Sequence, residues 1–180
     1  MESYIAQTRE WVSKWVIGLD LCPFAARPFR ENLIRYVVEE GDDPQVILER
    51  LMQEMLFLSE KSPTEVQTTL LIFPNGLNNF LAYNDFLGEV EELIDRSDLR
   101  GIFQVASFHP DYQFADADQN DPSNYTNRSP FPMLHLLRES SVEQAVAFHP
   151  NTELIPEENI KKLRVLGMEG INRLIINQVD

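Results

Sequence analysis

Thr68-Thr69-Leu70-Leu71-Ile72-Phe73 (TTLLIF) is an unbroken apolar run of strand formers, ended by Pro74-Asn75-Gly76. A strand with one wet face alternates polar and apolar residues, so an unbroken run reads as a strand covered on both faces. Upstream, Asp43-Pro44 opens a helix with an acid at the N-cap and proline in the first turn. Its apolar face carries Ile47, Leu48, Leu51, Met52, Met55 and Leu58 at helical spacing. Before that helix, Asn32 to Val38 (NLIRYVV) reads as a strand. Downstream, Phe80, Tyr83, Phe86, Leu87, Val90, Leu93 and Ile94 mark a second helix, and Gly101 to Phe108 (GIFQVASF) a third strand. Strand, helix, strand, helix, strand favours parallel pairing through crossover helices. The expectation is a single α/β domain, residues 1–180, with covering helices on a small, mainly parallel sheet of three strands or slightly more.

Outside this core of about 32–108, Tyr4, Ile5, Trp11, Val12, Trp15, Val16 and Leu19 predict an amphipathic N-terminal helix over 4–18. The segment Leu21 to Pro28 cannot continue it. C-terminal helices are expected over about 132–176. Pro132 to Arg138 reads as helical, and Ser141 with Gln144 forms a capping box. Pro156 starts a helix that Gly167 ends, and Ile171 to Ile176 is a short helix or an edge strand.

A net charge of −14 repels phosphate backbones, which argues against nucleic-acid partners. No apolar run approaches the roughly 20 residues of a membrane span, and no basic amphipathic helix would bind an anionic surface. The start of the chain does not read as a secretion signal, and one cysteine, Cys22, excludes an intramolecular disulfide. The expected compartment is the cytoplasm.

The candidate chemistry lies after the third strand. Residues 109–131 form a polar connection far longer than the typical 4–6 or so. His109 stands at the carboxyl end of that strand, where open α/β sheets gather ligands. Asp111, Asn124, Asn127 and Arg128 follow on the loop, and His135, Arg138 and Glu139 on the predicted helix beyond. Arg128 and Arg138, helped by Asn124 and Asn127, suit a carboxylate or phosphate. His109 or His135 would serve as general acid/base, oriented by Asp111 or Glu139. The reading is a small-molecule enzyme or binding protein for an anionic ligand, with no cofactor indicated.

Two alternatives stand beside it. The loop is purely structural, in a non-catalytic interaction module. Or a metal sits on His109, His135 and Glu139, the last two at i, i+4 helical spacing. Nothing fixes such a ligand set, and Asp116-x-Asp118-x-Asn120 departs from a calcium loop at Asp121, where glycine is required. Cys22 is either a small buried side chain or a thiol near a helix start within reach of a histidine base.

The runs Gly18-Leu19-Asp20-Leu21-Cys22-Pro23-Phe24-Ala25, Phe108-His109-Pro110-Asp111-Tyr112-Gln113-Phe114 and Asn124-Tyr125-Thr126-Asn127-Arg128-Ser129-Pro130, continuing to His135-Leu136-Leu137-Arg138-Glu139, are long and specific. In these the chain resembles the bacterial family catalogued as domain of unknown function 1415, from about Thr8 to Gly167. The resemblance implies a bacterial, cytoplasmic, single-domain protein and carries no activity with it.

Overall fold

A computed structural model describes residues 1–149 and 151–176. Four strands form one sheet, β1 (Ile34–Val38), β2 (Thr68–Ile72), β3 (Phe103–Phe108) and β4 (Met133–Arg138), in the order β1-β2-β4-β3. Helices α1 (Glu2–Glu10), α2 (Ala26–Arg30), α3 (Pro44–Glu60), α4 (Phe80–Arg96), α5 (Glu139–Phe148) and α6 (Ile155–Ile176) surround it. The α/β class holds, but the sheet is mixed rather than mainly parallel. β1 and β2 pair parallel, while β4 lies antiparallel between β2 and β3. The strands β1, β2 and β3 do share one direction, as the crossover pattern predicts. The element that separates β2 from β3 is Met133 to Arg138, which is a strand and not a helix.

The reason lies in its environment. Met133, His135 and Leu137 alternate with Leu134, Leu136 and Arg138, and every residue of β4 from Met133 to Leu137 has a partner on both sides. A short run of apolar residues fits either period, and two open strand edges supply the hydrogen bonds that decide for the strand. Consequently α5 starts at Glu139 with Arg138 as its N-cap, ahead of the expected Ser141. The final helix runs from Ile155 to Ile176 across a kink at Gly167, whose φ of 66° only glycine adopts freely. The tail Ile171–Ile176 is thus helical.

Alternation splits the core in two. Leu71, Leu134 and Leu136 face α3 and α4, packing on Leu51, Met55, Tyr83 and Phe86. Val38, Leu70, Ile72 and Met133 face the other way, toward Trp11, Trp15, Leu163 and Ile171. The N-terminal helix holds its tryptophans there through a π-helical stretch, Trp11–Ile17, where Gly18 N donates to Ser13 O. Each indole N–H then donates to the long loop, Trp11 to Arg128 O at 3.1 Å and Trp15 to Tyr125 O at 3.0 Å. The two tryptophans therefore staple the helix to the β3–β4 connection as well as filling core.

Candidate functional site

The polar side chains of the long loop bond mainly to its own backbone. His109 is fully buried, its ring 5.3 Å from Phe80 and 5.0 Å from Tyr83. Its Nδ1 accepts from Asp111 N at 2.9 Å, so the proton sits on Nε2, which donates to Leu77 O at 3.1 Å. Burial lowers its pKa, and both nitrogens are already bonded. Asn124, also fully buried, accepts from Phe114 N at 3.0 Å and donates to Asp118 O and Gln119 O at 2.8 and 3.3 Å. Asn127 donates to Ser107 O at 3.2 Å. Arg128 spreads over the Tyr125 ring and donates to Tyr112 O at 3.1 Å and Gln119 O at 2.8 Å. Asp121 caps the short turn Pro122–Thr126 and pairs with Arg164 of α6 at 2.7 Å, which holds its carboxyl well below the usual range. The side chain of Asp111 is exposed.

These contacts make Asn124 a strut for the loop. Asn124→Ala should lower stability by about 2 kcal/mol, read by urea unfolding, because three backbone groups lose their partner. Water reaches the exposed ends at Asp118 and Gln119, which limits the loss.

The remaining candidates lie elsewhere. Arg138 is 8% exposed and donates through Nη2 to Lys61 O at 2.8 Å and Val66 O at 3.1 Å, bracing the α3–β2 connection. Glu139 begins α5. His135 sits in mid-sheet, flanked by Leu70 and Ala106, on the face opposite α3 and α4. The structure thus does not gather His109, Arg128, His135 and Arg138 around one hollow. Nor, among the described residues, does any cluster of three or more His, Cys, Asp or Glu stand where a metal could be held. His135 and Glu139 are not a helical i, i+4 pair, because β4 is a strand.

What His135 does line is a cavity of about 330 Å³. Ile34, Thr68, Leu70, Gln104, Ala106, Phe108, His135 and Leu137 form its floor on the sheet. Trp11, Val12, Val16, Cys22, Phe24, Ala25 and Pro28 roof it, and Ser141, Val142 and Ala145 of α5 close one side. The lining is overwhelmingly apolar. Gln67, Thr68, Gln104 and Ser141 gather where β1, β2 and β3 begin and β4 ends, the sheet end opposite the 109–131 loop. Thr68 is satisfied by donating to Leu136 O. His135 Nε2 is sealed from solvent with no hydrogen-bond partner among the described residues. Burial pushes the imidazole down to about 4, and pushes the Cys22 thiol up. Both groups are therefore neutral at physiological pH.

A second hollow, a cleft of about 360 Å³, lies between the N-terminal helix and the loop, lined by Glu10, Trp11, Trp15, Tyr125 and Arg128 among others.

The roles of Gln67, Gln104, Ala106 and the Trp11 wall as one site are not evident from sequence spacing. One signal was present: a histidine at the middle of an apolar run, which alternation places on the tryptophan side once the run is a strand.

One family model matches the chain, over residues 3–173, and is described as Protein of unknown function (DUF1415). No curated protein and no solved structure matches.

Proposed function

Since the chain belongs to the family of proteins of unknown function DUF1415, we propose from its geometry that it binds a small, mostly apolar molecule in the cavity over β4. The observation that carries this is a largely apolar cavity of about 330 Å³ whose floor includes the His135 imidazole, a ring with no hydrogen-bond partner among the described residues. An unsatisfied buried polar atom costs about 1–3 kcal/mol, and cavities of about 300–1,000 Å³ with few polar groups are the usual form of ligand sites. The volume corresponds to roughly eleven water-sized units at about 30 Å³ each. The 109–131 loop then serves as a scaffold, its polar side chains spent on its own backbone.

The carboxylate or phosphate reading has weaker support. Arg128 and Arg138 both commit guanidinium groups to backbone carbonyls. Its remaining place is the cleft beside Arg128, where the Glu10 carboxylate opposes an anion.

A thermal-shift panel of apolar molecules of about ten non-hydrogen atoms, neutral, anionic and cationic, tests the proposal. A ligand at a hundred times its Kd adds about 2.7 kcal/mol, or several degrees in Tm. Ala106→Phe, which fills the floor, should abolish the shift. No shift with any member, or one that Arg128→Met removes and Ala106→Phe leaves intact, would overturn it.

A further inference from the structure

The lining restricts the ligand further, an inference that rests on the cavity being a binding site. Twenty of the described residues line it, and only Cys22, His135 and Arg138 among those are ionisable. Arg138 shares its strand face with Leu134 and Leu136, which pack toward α3 and α4, and its Nη2 donates there to Lys61 O and Val66 O. Its Nη2 is thus committed on the far side of the sheet, while Nε is buried without a partner among the described residues. Cys22 and His135 carry no charge at neutral pH, as burial disfavours the charged form of each. An ammonium group would enter without a counter-charge, and a carboxylate or phosphate would meet only Arg138, whose Nη2 is already bonded on the far face, at a cost that burial in an apolar site does not return. A pure hydrocarbon would leave the imidazole unmatched. Trp11, Phe24 and Phe108 supply aromatic surface.

We infer that the ligand is a neutral, largely apolar molecule with one hydroxyl or carbonyl group directed at His135. A neutral imidazole offers one donor and one acceptor, so either group is matched.

Calorimetry on the full chain at neutral pH, with three molecules of one shape, tests this. 4-Propylphenol should bind about fivefold more tightly than propylbenzene, the worth of one hydrogen bond. 4-Propylbenzoate should bind about a hundredfold more weakly than the phenol, or not measurably. In His135→Leu, an apolar replacement among apolar strand neighbours, the phenol should bind no more tightly than propylbenzene, with the hydrocarbon retained. Hydrocarbon binding in the variant also shows that it is folded. Benzoate binding as tight as the phenol overturns the inference but leaves the cavity as a site. A phenol preference that survives His135→Leu does the same. Failure of all three probes in the wild type removes the binding site itself, and the inference with it.

Discussion

His109→Ala should destabilise the protein by about 4 kcal/mol, a large share of the 5–15 kcal/mol or so that holds a domain together. The ring is fully buried between Phe80 and Tyr83, so its removal leaves a cavity of aromatic size, and such truncations cost about 3–5 kcal/mol. Two hydrogen bonds go with it, stranding Leu77 O and Asp111 N, which join the α4 approach to the loop start. Urea unfolding checks it, with a lower midpoint and an unchanged slope. Hydrogen exchange should quicken across 109–131 before the sheet. A variant as stable as the wild type would return His109 to the list of catalytic candidates, because active-site groups are commonly retained at no gain to stability.

The second large effect depends on pH and lies on the other side of the sheet. His135 titrates at about 4 in the folded protein against the ordinary 6.5. The unfolded chain therefore binds the proton first, and stability falls as pH falls. Above 6.5 the imidazole is neutral in both states and its contribution is fully present. Between 6.5 and about 4 the contribution is lost, amounting to about 3 kcal/mol at the lower limit. Replacing the ring with an apolar side chain removes the penalty. His135→Leu should match or exceed wild-type stability at pH 7.5 and exceed it by about 2–3 kcal/mol at pH 4.5, by urea unfolding at each pH. His109, which titrates in the same direction, is common to both proteins and cancels in the comparison. Parallel loss of stability in the two would mean that His135 is reached by water or by a counter-charge.

Sequence reasoning served best where one period was sustained. The helices over Ile47–Leu58 and Phe80–Ile94 and the strand over Thr68–Ile72 stand where their spacing and caps put them. It failed at Pro132–Arg138, seven residues, five of them apolar, with no length to separate the periods. That one element reshapes the candidate site. As a helix it would set His135 and Glu139 on one face beside the loop; as a central strand it turns His135 under Trp11 and sends Arg138 toward Lys61 and Val66.

Local sequence by itself determined the α/β class, the two long helices, the core stripe of Trp11 and Trp15, and the concentration of polar groups after β3. Those depend on neighbours within a turn or two of the chain. Tertiary structure alone decided which polar groups bond to the backbone, that β4 enters between β2 and β3, and that a hollow forms between its imidazole and the roof that Trp11 and Cys22 share. The reason is that hydrogen-bond partners and cavities arise between segments more than a hundred residues apart, as in Trp11 to Arg128, and short-range pattern holds no record of them.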